Sequence, residues 1–563
     1  MTRLTIDPVT RVGGQLRVEV EVVAGSVTDA WVSGTMYRGI ERILEGREAR
    51  DAWLMAQRIC GTCGTAHARA SIEAVENALG VRIPTNARLL RNLLGGAQVA
   101  VDHVTAFYLR QAMDWADLRA ATTADVVAAS ALAGTQGRPA SAAYLRAVRD
   151  RLERELGSGQ PGPFSSAAWG HAAFRLAPER DLLVYTHYLE ALDWRRRMLR
   201  LHTLLGGKSP HPQAFVLGGM VAAPPWGGPT RPVTGEHAWS LDRESPPVLG
   251  ADGFAAIASL LDELREFVST ACVPDALAVA GAYRDTAEVG AGIGHYLAFG
   301  AYPADASERP ALLLPQGRVM DRNLSSLVTV GAAGVGESTA YGWYAGDSSS
   351  RGPRDGRTDP VYVPPQAPPT ISGTDRYSWV KAARYEDDPM EVGPMARLLV
   401  GQAAGDAALT LAARRVSDAV GGVAGLFGTV GRVVAGALEA DVVADRLPGW
   451  LDALRANLAT GDLAVADVSS WSPSAWPRRA EGLALAESAR GAIGHWVSIA
   501  DGRIEHYQVV DATTWNASPR DASGRRGPLE EALVGTPVGD ADRPIEVLRT
   551  IHAFDPCLAC GVH

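Results

Sequence analysis

Alternating polar and apolar residues near the start of the chain predict a β-hairpin. In residues 16–22 the apolar side chains share one face, and arginine and glutamate occupy the other. Such strict alternation is typical of a strand with one buried face. A Gly-Ser turn at residues 25–26 leads into a second apolar run at 27–32. We therefore expect a β-hairpin region within about residues 1–35.

Helical periodicity dominates the rest of the chain. From residue 84 onward the apolar residues recur every three or four positions, which is the spacing of an amphipathic helix. The same spacing predicts further helices at residues 139–156, 178–205, 253–271 and 394–416.

Glycine and proline mark the intervals between these helices. They cluster at residues 157–163, 206–236 and 302–375, and the last of these loops is the best candidate for a surface excursion. No internal repeat divides the chain. We therefore expect one mainly helical (α+β) domain over residues 1–563, with a helical-bundle core and small peripheral β-sheets. The cysteine pairs described below should lie outside the main helices.

The composition then limits the classes of function. The chain has 54 basic and 63 acidic residues and a net charge of −9, which argues against a nucleic-acid or anionic-membrane surface. The first residues do not form a basic segment followed by an apolar one. No apolar run is long enough to span a bilayer, and residues 419–431 come nearest. The sequence therefore predicts no signal peptide and no membrane span of its own.

Cysteine is the most informative residue type. The chain has five cysteines, too few for a disulfide scaffold. Four of them form two C-x-x-C pairs near opposite ends of the chain, Cys60 with Cys63 and Cys557 with Cys560. This spacing lets both sulfurs of a pair face one metal, and four thiolates favour zinc, iron–sulfur, copper(I) or nickel. We expect the fifth, Cys272, to be a buried packing residue.

Spacing alone leaves a structural zinc site and a redox pair as alternatives. Zinc motifs normally bring their two pairs together over about 15–20 residues, whereas nearly the whole chain separates these pairs. A metal that joins both ends of the chain to a large core suggests an enzyme centre instead. A histidine follows each pair, His67 or His563, and could orient the sulfurs or act as a ligand.

The residues around both pairs carry a specific resemblance. The motifs R-x-C-G-x-C-x-x-x-H at 58–67 and D-P-C-x-x-C-x-x-H at 555–563 resemble those of the large subunit of the nickel–iron hydrogenases. Further segments match in the same order, at residues 7–11, 33–41, 102–103, 206–211, 381–385, 391–394, 490–496 and 513–521. The resemblance covers essentially the whole chain and implies the fold of that family.

The resemblance implies a nickel–iron centre whose iron carries one carbon monoxide and two cyanides. By position, Cys60 and Cys557 would be terminal nickel ligands, and Cys63 and Cys560 would bridge nickel to iron. The activity implied is the reversible cleavage of H2 into two protons and two electrons. We expect the uptake direction.

The resemblance also implies a proton-handling group beside the metals. Arg490 would stand above the open site and, with the terminal cysteine Cys557, is a candidate base for the first proton. Asp102 and Asp555 would flank the arginine. A purely structural ion-pair cluster is the alternative for these charged residues.

Further residues match around the centre. Thr513 would hydrogen-bond an iron cyanide, and His67 would contact a bridging sulfur. Glu41, the carbonyl of Val509 and the ring of His563 would form a magnesium site beside the centre.

Three positions depart from the pattern of the family. Gly13 stands where a glutamate usually relays protons from the terminal cysteine, so a water chain or another carboxylate would have to replace it. Ala489 replaces a proline before Arg490. Thr62 replaces a small apolar residue between the first two cysteines.

Electrons would need a second subunit, because only Cys272 is left for a cluster. The resemblance implies an obligate heterodimer with an iron–sulfur small subunit, and dimers of that heterodimer are common in the family. The small subunit would carry any export signal, so we expect attachment at the cell envelope through this partner, with a cytoplasmic location as the alternative. A non-catalytic relative of the fold and a structural zinc protein are the competing hypotheses.

Overall fold

The computed structural model describes residues 1–159, 161–222, 249–305, 307, 310–345, 350–356, 358–361 and 376–563. Its α-helices are α1 Ile40–Leu44, α2 Ala52–Ala56, α3 Gly64–Leu79, α4 Thr85–Ala106, α5 Leu118–Ala121, α6 Val126–Thr135, α7 Ala142–Gly157, α8 Pro178–Gly206, α9 Ala251–Phe267, α10 Val273–Ala282, α11 Pro394–Ala403, α12 Ala407–Val420, α13 Val423–Leu426, α14 Thr429–Ala459, α15 Ala512–Asn516, α16 Pro528–Leu533, α17 Ile545–Ala553 and α18 Leu558–Gly561.

The strands are short and form antiparallel sheets. They are β1 Thr2–Ile6, β2 Leu16–Val23, β3 Ser26–Gly34, β4 Phe215–Val216, β5 Gly219–Met220, β6 Tyr296–Ala298, β7 Ala301–Pro303, β8 Leu312–Leu314, β9 Gly317–Val319, β10 Val335–Ser338, β11 Ala382–Tyr385, β12 Arg479–Ser488, β13 Gly491–Ala500 and β14 Arg503–Val510. Two sheets have three strands, in the orders β1-β2-β3 and β12-β13-β14, and the others pair β4 with β5, β6 with β9, β7 with β8 and β10 with β11.

A bundle of long helices forms the main core, as the periodicity predicted. α14 packs against α4, α9, α10, α11 and α12. Residues such as Leu90 and Leu94 of α4 and Leu438 and Leu447 of α14 are buried in one continuous apolar cluster. Each buried leucine contributes roughly 1.5–3 kcal/mol to stability. The bundle therefore provides a rigid support on which the site can be built.

Most predicted elements are confirmed. The predicted hairpin forms β2 and β3, and β1 adds a third strand beside β2. The helices predicted at 139–156 and 178–205 are α7 and α8. The pattern predicted at 253–271 continues past α9 through a π-helical turn, Val268–Cys272, into α10. Residues 223–236 and parts of 302–375 lie outside the described residues, so the surface excursion stays a prediction.

The prediction of one helix over residues 394–416 is wrong. α11 ends at Ala403 and α12 begins at Ala407. Gly405 has a φ of +78°, which ends a right-handed helix. The Asp406 carboxylate then accepts a hydrogen bond from the Leu409 N–H at 2.9 Å and caps the new helix.

The sheet β12-β13-β14 flanks the helical bundle and lies against the site. α3 packs across β12 and β13, and Ile493 and Trp496 of β13 are buried. At the other side, the segment before β2 pairs Gly13 with Cys557 in a parallel β-bridge. Both ends of the chain therefore meet next to α3.

Candidate metal centre

The four paired cysteines come together although the pairs stand at opposite ends of the sequence. Cys63 directly precedes α3, and Cys60 lies three residues earlier. Cys557 directly precedes α18, which contains Cys560. Both pairs therefore lie outside the long helices, as predicted, and the first pair directly precedes α3. All four thiols are free and buried.

The spacing of the sulfurs fits metal ligands. Cys60 Sγ lies 3.9 Å from Cys557 Sγ, and Cys63 Sγ lies 3.5 Å from Cys560 Sγ. The sulfurs of Cys557 and Cys560 are 3.3 Å apart. Thiolates bound at about 2.3 Å to one tetrahedral metal lie about 3.8 Å apart. The arrangement therefore suits soft metal ions.

Cys60 is the best-supported thiolate of the four. The backbone N–H groups of Thr62 and Cys63 donate to its sulfur at 3.4 and 3.1 Å. Hydrogen bonds from the neighbouring thiols, first from Cys557, hold the pKa of Cys60 well below its usual range. Burial instead raises the pKa of Cys560. A bound cation would favour the thiolate form of all four, because metal binding requires deprotonated sulfur.

Arg490 brings a buried positive charge to the thiols from the turn between β12 and β13. Its Nε donates to the Asp555 carbonyl oxygen at 2.8 Å and pairs with the Asp555 carboxylate at 3.0 Å. Its Nη1 donates to Thr62 Oγ1 at 3.2 Å, and that oxygen lies 3.3 Å from Cys60 Sγ. The guanidinium is therefore held on two sides.

Asp102 is close enough to Arg490 to feel its charge but forms no hydrogen bond with it. Gln98 Nε2 donates to Asp102 Oδ1 at 2.8 Å, and Oδ2 has no hydrogen-bond partner. Between Asp102 and Arg490 the described residues show no ion pair, so only Asp555 flanks the arginine directly. Burial raises the pKa of Asp102 to about 7, against the opposing effect of Arg490 and Arg110.

Thr513 and His67 lie beside the cysteines. Thr513 Oγ1 accepts a hydrogen bond from the Cys557 N–H at 3.2 Å. His67, one turn into α3, has a ring nitrogen within 4.8 Å of both Cys560 Sγ and a carboxylate oxygen of Asp511. The structure thus brings both predicted residues to the thiols.

Glu41 and His563 lie together in a buried charged cluster. His563 Nε2 is 3.1 Å from Glu41 Oε1. Lys381 Nζ lies 3.5 Å from both Glu41 oxygens and 3.2 Å from Glu337 Oε2. Burial opposes ionisation, but Lys381 and His563 lower the pKa of Glu41 to about 2. Oε1 of Glu337 and of Gln508 is buried without a hydrogen-bond partner, so the donor set fits a hard cation such as magnesium.

Val509 takes part through its backbone N–H, which donates to Glu41 Oε1 at 2.8 Å. The predicted role of its carbonyl stays a prediction. Sequence reasoning missed that Lys381, Glu337 and Gln508 complete this cluster. Lys381 could have been found, because it is one of two lysines in the chain and lies in a matched segment.

Two further residues around the cysteines were also missed. His211 Nε2 donates to the Cys60 carbonyl oxygen at 2.9 Å, and its Nδ1 lies 3.0 Å from Arg58 Nη1. Arg110 Nη2 donates to the Asp555 carboxylate at 3.0 Å. His211 stood in a matched segment, whereas Arg110 carried no sequence signal. Cys272 is fully buried in the helical bundle, as predicted.

Comparison with known proteins decides the family of this centre. The family model described as nickel-dependent hydrogenase matches residues 38–563. The chain belongs to the nickel-dependent hydrogenase family. It is 39% identical over 580 residues to the uptake hydrogenase large subunit of Rhizobium leguminosarum bv. viciae, covering 100% of this chain and 95% of the relative. It is 37% identical over 583 residues to the hydrogenase-1 large chain of Escherichia coli (strain K12), with the same coverage.

Solved hydrogenase structures share the fold. The Ni-Fe-Se hydrogenase from D. vulgaris Hildenborough in the reduced state superposes with a TM-score of 0.76 at 32% identity, covering 100% of both chains. The hydrogenase from Desulfomicrobium baculatum in a reduced, active form gives a TM-score of 0.75 at 31% identity, also with full coverage. The predicted hydrogenase large-subunit fold and enzyme class are therefore confirmed, and a nickel–iron centre with cysteine ligands is supported.

Proposed function

We propose that this chain is the catalytic subunit of an uptake hydrogenase, which cleaves H2 into two protons and two electrons. One observation carries the proposal: four buried thiols from opposite ends of the chain converge to within 3.3–3.9 Å, with the Arg490 guanidinium beside them. The names of the relatives, large subunits of uptake hydrogenases, support the direction of the reaction.

The four thiolates would hold nickel and iron. Cys60 and Cys557 are proposed as terminal nickel ligands, and Cys63 and Cys560 as the bridges to an iron that carries one carbon monoxide and two cyanides. The bound metals would supply an electron-accepting site for H2. Thr513, which already contacts the Cys557 backbone, is proposed to hydrogen-bond a cyanide.

Magnesium is proposed at Glu41, His563 and the Val509 carbonyl. The unpaired oxygens of Glu337 and Gln508 support a cation at this position. When the ion binds, it would replace part of the positive charge that Lys381 now provides to Glu41.

The surrounding residues would manage the first proton. Cys557 Sγ and Arg490 are the proposed acceptors, and Asp555 holds the guanidinium through two hydrogen-bonding oxygens. Asp102, protonated or ionised near neutral pH, would exchange protons with this group.

Arg490→Lys tests this assignment. Lysine keeps the charge but cannot contact Asp555 and Thr62 at the same time, so H2 oxidation should fall by about 10²-fold while nickel and iron contents stay unchanged. Arg384→Lys, at a buried arginine paired with Asp521 at 2.9 Å, is the matched control. Unchanged turnover in Arg490→Lys would remove the arginine from the mechanism.

Electrons would leave through a partner. Cys272 is buried in the helical bundle, in a different apolar cluster from the four paired cysteines. An iron–sulfur small subunit is therefore proposed as the acceptor in an obligate heterodimer, which is proposed to pair further into a dimer of heterodimers. Among the described residues no helix is both long and apolar enough to cross a bilayer. Attachment to the cell envelope is proposed to come from the small subunit.

Metal analysis with infrared spectroscopy tests the whole proposal. We expect about one nickel and one iron per chain and bands of carbon monoxide and cyanide. Cys557→Ser should lose nickel, whereas the control Cys272→Ser should keep both metals. Zinc alone, without these bands, would favour a structural metal protein, and the absence of any metal would favour a non-catalytic relative.

A further inference from the structure

A cavity of about 370 Å³ lies beside α17 and the start of α14, and its walls include none of the residues assigned to the metal site. Its floor is buried, whereas its rim is exposed at Gly25, Arg175, Pro537 and Gly539. Most of the walls are apolar, but α17 contributes two charged side chains, Glu546 and Arg549. Apolar walls with a few polar groups are typical of small-molecule sites.

Arg549 brings a buried positive charge to the cavity without a carboxylate partner. Its Nε donates to the Asp114 carbonyl oxygen at 2.7 Å, and its Nη2 donates to the Ala173 carbonyl and the Tyr283 hydroxyl, both at 3.2 Å. Within the part of the chain that the structure describes, Nη1 makes no hydrogen bond, and the Asp114 carboxylate is engaged by other residues. Burial lowers the pKa of Arg549, and nearby acidic groups offset this only in part. Because an unpaired buried charge is costly, an anion in the cavity would stabilise the guanidinium.

Glu546 brings an unpaired carboxylate to the same wall. Its Oε2 is buried without a hydrogen-bond partner. Glu546 and Arg549 lie one helical turn apart, but among the described residues no ion pair joins them. A ligand with only a carboxylate would be attracted by Arg549 and repelled by Glu546, and a ligand with only an amine would meet the reverse. A ligand that carries both charges close together would satisfy both side chains.

The floor of the cavity offers a further hydrogen-bond acceptor. Thr550 donates its hydroxyl hydrogen to the Glu546 carbonyl oxygen at 3.3 Å, so Thr550 Oγ1 accepts in its 3.1 Å contact with Thr429 Oγ1. Thr429 thereby uses its own hydrogen and presents an oxygen lone pair, which can accept an N–H from an ammonium group. Arg175 does not compete for a ligand carboxylate, because it pairs with Asp285 at the rim.

We propose that this cavity binds an α-amino acid with an apolar side chain. The α-carboxylate would pair with Arg549, and the α-ammonium would pair with Glu546 and donate to Thr429. The walls that would receive the side chain are Val289, Val430, Pro537 and Val538. Because α17 ends two residues before Asp555, a ligand held by this helix would brace the segment that enters the metal site. The binding itself does not require the proposed metals.

Titration calorimetry of the purified enzyme, together with any subunit that copurifies, tests the charge pattern. Three compounds share one apolar side chain: L-leucine carries both charges, isocaproate lacks the ammonium, and isoamylamine lacks the carboxylate. We expect L-leucine to bind with a Kd of about 1 mM or below, and each fragment to bind at least about tenfold more weakly. No heat from L-leucine at about 10 mM would show that the cavity holds only water. Equal affinities for L-leucine and isocaproate would refute recognition of both charges.

Glu546→Gln keeps the size of the side chain and removes its charge. The affinity for L-leucine should fall by at least about tenfold, whereas isocaproate should bind more tightly than it does to the wild type, because the repulsion is removed. Glu531→Gln is the matched control, since this carboxylate of α16 pairs with Arg526 at 3.0 Å and lies outside the cavity. Unchanged affinity for L-leucine in Glu546→Gln would overturn the site.

Thermal unfolding gives a second measure of the same binding. L-leucine should raise the unfolding temperature of the wild type and of Glu531→Gln by the same amount, and that of Glu546→Gln by less. Equal rises in all three proteins would mean that L-leucine binds elsewhere, against the proposal. If Glu546→Gln does not fold, the titrations of the wild type with the three compounds still decide the site.

Discussion

Gly13 has no side chain, and the sulfur of Cys557 fills the space that a side chain would need. A Cβ at this position would lie 2.6 Å from Cys557 Sγ. The Gly13 carbonyl also accepts a hydrogen bond from the Leu558 N–H at 2.6 Å. The glycine therefore lets the first segment of the chain lie directly against the second cysteine pair, and this close approach makes a carboxylate at residue 13 incompatible with the observed packing.

Gly13→Ala should displace Cys557 and lower the nickel content several-fold. The added methyl overpacks the site, which costs about 1–3 kcal/mol. Gly13→Glu should behave in the same way and give no gain in H2 oxidation. Gly61→Ala is the control, because a Cβ there meets no atom within 4 Å although the residue adjoins Cys60. A Gly13→Glu variant with full nickel and greatly raised activity would instead indicate that the usual proton route had been restored.

Asp102 should make stability depend on pH. Its pKa is raised from 3.8 to about 7 by burial. Between these values the folded protein holds a proton that the unfolded chain releases, so the free energy of unfolding falls as the pH rises. Three units correspond to about 4 kcal/mol at most. Denaturant titrations at pH 4 and pH 7 should show a smaller difference for Asp102→Asn than for wild type. Equal differences would contradict the assignment, and exposed Asp285→Asn is the control.

At the scale of elements, α3 and β12 set the position of Cys63 relative to Arg490. Gly482 of β12 sits against the helix, and a Cβ there would lie 2.2 Å from the Ala74 oxygen and 2.4 Å from the Ala78 nitrogen. Because α3 begins directly after Cys63, any shift of this helix moves the first cysteine pair. A change in packing at this contact would therefore change the position of the first cysteine pair.

Gly482→Ala should push α3 from the sheet. We expect a loss of about 1–3 kcal/mol in the free energy of unfolding, together with reduced H2 oxidation. Gly449→Ala, on α14 with open space around the position, should be neutral or slightly stabilising. Thermal unfolding and activity measured on the same samples distinguish the two variants. Full activity in Gly482→Ala would show that the position of α3 is not critical.

The sequence predicted the helices and strands whose apolar residues recur at a regular spacing. It did not predict the features that depend on contacts between distant residues. The spacing of apolar residues located α8 almost to the residue, but one continuous pattern concealed the break at Gly405, where backbone conformation and the Asp406 cap decide. The matched motifs located the four cysteines and Arg490. The motifs could not show that Asp555, and not Asp102, pairs with Arg490, and they gave no sign that Arg110 also binds Asp555. These pairings depend on where distant helices cross.

At the scale of the whole molecule, the metal site joins the two ends of the chain. The bridge between Gly13 and Cys557 and the contacts of Cys60 with Cys557 span almost the full sequence. Phe554, Leu558 and Val562 also pack into an apolar cluster with residues of β2 and β3, and bound metal should add to this packing and stabilise both ends together.

Metal removal should therefore loosen both ends of the chain. Limited proteolysis of metal-free protein should cut near residues 10–15 and after residue 553 faster than in the loaded protein, while the helical bundle stays protected. Loaded Cys272→Ser should keep wild-type protection. Equal cleavage with and without metal would show that the ends are held by packing alone.

The burial of Lys381 has a practical consequence for mapping the assembly. The only other lysine is Lys208, which is exposed and lies three residues before His211, the histidine bound to the Cys60 carbonyl. Apart from the terminal amine, Lys208 is therefore the one amine of the folded chain that an amine-directed cross-linker can reach. A cross-link from Lys208 to a second protein, identified by mass spectrometry, would place that protein beside the first cysteine pair without any mutation.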